Sequence, residues 1–137
     1  NFGVNTHIEW LRRINQDFSL RTIAAFNYID SKNEDGMNTL YVPNLKTILS
    51  LGLIAKQYEI LLQNNYTSKR YTNQTNTSEL KPYFISNIKA TYKLPINKLQ
   101  TRFTLGIDNL WNENYQEIMG NYLPLRNYYM NITAIIK

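Results

Sequence analysis

Apolar and polar side chains alternate with period two along almost the whole chain, and no stretch carries the 3.6-residue period of an amphipathic helix. Successive side chains of a strand point to opposite sides, so this pattern restricts the chain to β-structure with one apolar and one polar face. The last such stretch sets Tyr128, Met130, Ile132, Ala134 and Ile136 against Asn127, Tyr129, Asn131 and Thr133. Before it, Phe103, Leu105 and Ile107 oppose Arg102, Thr104, Gly106 and Asp108. Between Tyr83 and Leu94, the set Ile88, Ala90, Tyr92 and Leu94 opposes Asn87, Lys89, Thr91 and Lys93. The same reading gives strands around Thr47–Leu53 and Leu20–Tyr28, one from Tyr58 to Tyr71 with Leu61 as an exception, and a first one from about Asn5 to Ile14 with Ile8 and Trp10 on its apolar side. The expectation is an all-β antiparallel meander of about seven strands.

The connections alternate in length as well. Asn15-Gln16-Asp17, Ala55-Lys56-Gln57 and Pro95-Ile96-Asn97-Lys98 read as tight turns, whereas Ser31–Leu40, Thr72–Lys81 and Trp111–Arg126 read as long polar links. Short turns at one end and long loops at the other are the habit of an outer-membrane barrel, with the short turns periplasmic. A soluble sandwich gives no reason for strict alternation. Seven is an odd number and leaves two open edges, which a bilayer does not tolerate, so the expected context is a larger barrel.

Composition is compatible with that reading and excludes others. No apolar run approaches the ~18 residues of a membrane helix, but barrel strands alternate and need no such run. No signal-peptide pattern opens the chain. There is no cysteine, which fits a periplasmic or outer-membrane setting and a cytosolic one alike. The net charge is +5, yet Lys and Arg are dispersed and form no nucleic-acid footprint. Eleven tyrosines supply a ring that suits both hydrocarbon and its wet interface. His7 is the only histidine and has no partner at metal-ligand spacing; Glu34-Asp35, Glu113 and Glu117 are loop carboxylates. No catalytic, metal or cofactor site is expected, and the chain does not read as an enzyme.

A family resemblance rests on the last third. There Asn109-Leu110-Trp111 and Tyr115 follow one strand, and Pro124-Leu125-Arg126 opens the last one. This order resembles the closing hairpin of a TonB-dependent outer-membrane receptor, whose penultimate strand leaves through an Asn-Leu-aromatic turn and a Tyr, and whose final strand opens on Pro-x-Arg. Two positions depart from the pattern. Leu125 stands where the family usually has glycine, so no glycine φ can be required there. The family usually ends on an aromatic residue, whereas this chain ends Ile135-Ile136-Lys137; either Ile136 takes that place or a residue or two follow.

The resemblance implies the C-terminal wall, residues 1–137, of a barrel of about 22 strands with a plugged lumen, the plug and its energy-coupling box lying outside these residues. It implies a Gram-negative outer-membrane transporter that imports a ferric siderophore, haem or cobalamin with energy from TonB. Its partners would be lipid, the remaining barrel and plug, the TonB complex and a small nutrient ligand. Ligand-facing candidates on the long loops and strand ends are Tyr41, Lys69, Arg70, Tyr71, Trp111 and Tyr122, as aromatic surfaces or cations. Asp108, Asn109, Trp111 and Arg126 admit a ligand reading too, but fit better as groups that fix the last hairpin, Trp111 also as part of the aromatic girdle. Two other classes remain open: a different outer-membrane channel, and a soluble β-barrel or sandwich binding module.

Overall fold

A computed structural model describes residues 1–96 and 99–136, the side chains of Ile96 and Ile136 excepted. Seven strands form one antiparallel meander: β1 (Phe2–Arg13), β2 (Phe18–Asp30), β3 (Leu45–Ala55), β4 (Tyr58–Thr67), β7 (Tyr83–Ile96), β8 (Leu99–Asp108) and β11 (Asn127–Ile136). Two small ribbons interrupt the long links: β5 (Arg70–Tyr71) with β6 (Glu79–Leu80), and β9 (Gln116–Ile118) with β10 (Asn121–Tyr122). The sheet does not close. β1 and β11 each pair on one side only among the described residues.

Continuous register across the sheet makes the faces chemically distinct. One row runs Trp10, Thr22, Leu51, Leu62, Ile88, Ile107 and Tyr128. The next row of that face runs Arg12, Leu20, Leu53, Ile60, Ala90, Leu105 and Met130. By this parity Glu9, Arg13, Arg21, Lys46, Glu59, Lys89, Lys93, Arg102 and Asp108 all lie on the opposite face. The apolar face carries charge only at strand ends, at Arg12 and Asp30. On the polar face Arg21 pairs with Glu9 at 2.8 Å and Lys93 with Glu59 at 3.0 Å.

The sheet has no core of its own. Ile85 is the one buried apolar side chain among the described residues, while Leu105 is 61% and Met130 69% exposed. The accessible surface is 9622 Å²; a compact protein of this mass would expose about 7,500 Å². An apolar face this large in contact with water would be an aggregation surface, and in hydrocarbon it is a match.

Two glycines lie in one row of the polar face, Leu11, Arg21, Gly52, Leu61, Lys89, Gly106 and Tyr129. A Cβ on Gly106 would collide with the Tyr129 ring, and one on Gly52 would sit 3.4 Å from Leu61 Cδ1. Leu61, the exception in its strand's alternation, covers a glycine on the neighbouring strand.

Several boundaries differ from the expected ones. The strand expected from Tyr58 to Tyr71 stops at Thr67, because its neighbour β3 begins at Leu45 and the ladder has no further partner. Ser68 closes it by donating its N–H to the Leu45 carbonyl and accepting the Leu45 N–H on Oγ, 2.9 and 3.0 Å. Arg70 and Tyr71 belong instead to the separate ribbon. β1 starts at Phe2 rather than near Asn5, and the first long link runs to Asn44. The short turns at Asn15–Asp17 and Lys56–Gln57 and the three long links alternate as expected. Asn97 and Lys98 of the third turn, and Lys137, lie outside the described residues.

Candidate functional site

The three long links meet at one end of the sheet and are tied to each other. Asn38 of the first and Asn76 of the second form a clasp: Asn76 Oδ1 accepts from the Asn38 N–H at 2.7 Å, and Asn76 Nδ2 donates to the Asn38 carbonyl at 3.1 Å. Nearby, the Tyr41 N–H donates to the Tyr71 carbonyl at 2.9 Å. The second and third links join through Arg70. Its Nη2 donates to the Gln116 carbonyl at 2.6 Å and its Nη1 to the Ser68 carbonyl at 3.4 Å. The guanidinium lies 4.8 Å over the Tyr83 ring, which packs 4.6 Å from Tyr115. Arg70 is only 3% exposed, and its Nε has no acceptor among the described residues.

The third link is organised by Asn109, itself 3% exposed and at φ 51°. Its N–H donates to Asn87 Oδ1 (2.9 Å), its Oδ1 accepts the Glu113 N–H (2.8 Å), and its Nδ2 donates to the carbonyls of Glu113 (2.8 Å) and Pro124 (3.3 Å). Asparagine tolerates the left-handed backbone and supplies these bonds, which an apolar residue could not. Asn112 Oδ1 accepts the Arg126 N–H at 3.0 Å, and Leu110 donates its N–H to the Ser86 carbonyl at 2.7 Å. Leu125 is absent from the positive-φ residues.

Trp111 leaves this loop toward the apolar face. Its Nε1 donates to Ser86 Oγ at 2.9 Å, and that hydroxyl donates to Asn64 Oδ1 at 2.7 Å. Asn64 and Ser86 are polar residues at apolar-face positions, so the indole caps a pair that would otherwise face hydrocarbon.

The expected ligand-facing residues therefore divide. Tyr41 and Tyr71 meet where the first and second loops join, with Lys69 nearby on Glu79 (2.9 Å) and 5.0 Å over the Tyr71 ring. The Glu79 hydrogen bond raises the affinity of Lys69 for its proton. Arg70 is buried under the loops, Trp111 stands on the apolar face, and Tyr122 sits exposed on β10. Ser86, Asn64, Asn38, Asn76 and Tyr83 were not singled out in the sequence. Only Asn64 and Ser86 left a signal there, as polar interruptions of an apolar row.

Two half-open cavities flank the Tyr83–Tyr115 pair. One, of about 250 Å³, is lined by Arg70, Glu79, Lys81, Tyr83 and Tyr115. The other, of about 310 Å³, lies on the polar face between Lys46, Asn65, Asn87, Tyr115 and Glu117. Burial, then the nearby Tyr83, Glu117 and Asp108, raises the Tyr115 pKa above its ordinary value. These walls offer amides, phenols and charges of both signs, suited to holding a polar solute. Among the described residues no three His, Cys, Asp or Glu side chains group to hold a metal ion.

An open antiparallel meander with one lipid-compatible face, one charged face and long loops at one end is the wall of a large transmembrane β-barrel. The family of TonB-dependent receptor-like β-barrels matches residues 1–110, and the chain belongs to it. Comparison with curated proteins finds no match. The family is one of outer-membrane transport receptors of Gram-negative bacteria that work with TonB and a plug domain. The Pro124-Leu125-Arg126 strand opening lies beyond the matched span, so the family assignment and the closing-hairpin resemblance draw on largely different residues.

Proposed function

We propose that this sheet is the C-terminal wall of an outer-membrane active transporter that captures a scarce nutrient at its long loops and imports it with TonB-supplied energy. The observation that carries this reading is the two-faced sheet: apolar across seven strands on one side, with nine charged side chains of the spanning strands on the other. Such a wall separates hydrocarbon from a watery lumen. Tyr41, Lys69, Tyr71 and Tyr122 are the loop side chains offered to the nutrient. Arg70 serves by holding loops together, and Trp111 by anchoring the wall at the outer interface. The nutrient classes are ferric siderophore, haem and cobalamin.

The test is uptake. Cells lacking the gene should lose energy-dependent accumulation of one of three labelled solutes, iron-55 siderophore, haem or cobalamin, and complementation should restore it only when TonB is present. Unchanged uptake of all three would remove the proposed nutrient classes. Uptake that persists without TonB would make the barrel a passive channel.

A further inference from the structure

The three long loops are joined to one another by backbone and side-chain bonds rather than standing as independent flaps. We propose that they form one preorganised rim, with Arg70 as the joint between the second and third loops and the Asn38–Asn76 clasp as the joint between the first and second. The inference extends the transporter reading, since it concerns the surface that would meet the nutrient.

Three observations converge on it. The first is the cost of Arg70 where it sits. A guanidinium that is 3% exposed, with no carboxylate within 4 Å among the described residues, contributes little to stability. Its planar fork instead spans two carbonyls on different loops, Ser68 and Gln116, while its face rests on Tyr83. That geometry fixes one arrangement of two segments, which a flexible ammonium could not do.

The second is backbone conformation. Tyr41, Asn76, Asn109 and Asn112 all have positive φ, from 51° to 58°. Asparagine enters that region readily, but for a bulky tyrosine it is rare, so Tyr41 above all needs its surroundings to hold it. Each is held at its own place: Tyr41 by Tyr71, Asn76 by Asn38 and Asn73, Asn109 by Asn87 and Glu113, and Asn112 by the Asn109 carbonyl and Arg126. At least one restraint in every loop comes from outside it.

The third is how the links continue across the rim. The first loop reaches the second through Asn38–Asn76 and Tyr41–Tyr71. The second reaches the third through Arg70–Gln116, and the Tyr83–Tyr115 contact adds a link from the first residue of β7 to the third loop. Opening any one loop therefore breaks bonds belonging to its neighbour. A nutrient would meet a surface that is already assembled and would carry little of the ordering cost that separate flaps impose.

Amide hydrogen exchange in the whole receptor, in detergent micelles and without any nutrient, tests this. The reporters are the bonded amides of Tyr41, Thr72 and Leu123, one in each loop. Arg70→Met should speed exchange at all three by about tenfold or more, since it removes hydrogen bonds to a charged donor. Arg70→Lys, which keeps the charge without the fork, should fall between Met and the native arginine. Asn76→Ala leaves Arg70 intact and should loosen the same three reporters. Strand amides at Leu51 and Leu105 serve as the control for folding. If Arg70→Met speeds these too, Asn76→Ala alone decides. Loosening confined to the substituted loop, in either Arg70→Met or Asn76→Ala, overturns the single rim and leaves three independent loops. Because no ligand is present, the result is independent of which nutrient is imported.

Discussion

Tyr129 lies across Gly106 on the neighbouring strand, in the space a side chain would occupy. A glycine inside a strand is normally a weakness, since it has no side chain to pack. Here the tyrosine ring covers the exposed backbone and fills the groove between β8 and β11. Gly106→Ala should destabilise the barrel by about 1–3 kcal/mol through overpacking. In a Tyr129→Ala background the same change should cost less than half as much, because the colliding ring is gone. Denaturant unfolding of the receptor in lipid vesicles, run as a double-mutant cycle, measures both values. Additive effects would show that the two residues do not share the space. Nothing in the sequence marked Tyr129 for this role. Its polar-face position was legible from alternation, but its contact with Gly106 depends on which residues the register sets side by side.

At the scale of the strand, alternation was enough. The faces assigned to residues 102–108 and 127–136 from sequence are those observed, because a strand's two sides are fixed by its own backbone geometry. Leu105 therefore lies on the apolar face, expected to meet hydrocarbon, and Thr104 on the polar face, where it shares a 3.1 Å hydroxyl contact with Thr91. Arginine at Leu105 should cost roughly 2–4 kcal/mol near mid-bilayer, and arginine at Thr104 clearly less. Equal costs in vesicle unfolding would remove the face assignment. The loops show where local reading stops. The strand expected to reach Tyr71 ends at Thr67 because neither neighbour reaches further, β3 beginning at Leu45 and β7 at Tyr83, which is a property of the neighbours and not of residues 68–71. The Asn38–Asn76 clasp joins residues 38 positions apart. Two asparagines in polar loops carry no mark of being partners, whereas Asn109 was singled out because it belongs to a short, ordered motif.

At the scale of the molecule, the asymmetry of the connections sets orientation. An epitope placed at Gln74–Thr75, in the second long link, should be labelled on intact cells, and one at Gln16 should be labelled only after the outer membrane is opened. The reverse pattern would invert the wall. Sidedness leaves the two edges to account for. Along β11 the backbone N–H groups alternate, every second one directed toward β8 and the others away from it. The amides directed away have no strand partner among the described residues, and the same is true on the far side of β1. In hydrocarbon such groups cost several kcal/mol each, so a membrane wall holds its shape only if both edges are paired. In the assembled receptor, amide exchange should then be slow at every residue from Tyr128 to Ala134, and equally from Val4 to Leu11. Slow exchange at alternate residues only would mean that these edges stay open, and the sheet would not be part of a closed barrel. Uniform protection along both strands would give each edge a neighbour and make the apolar face continuous with the rest of the barrel wall.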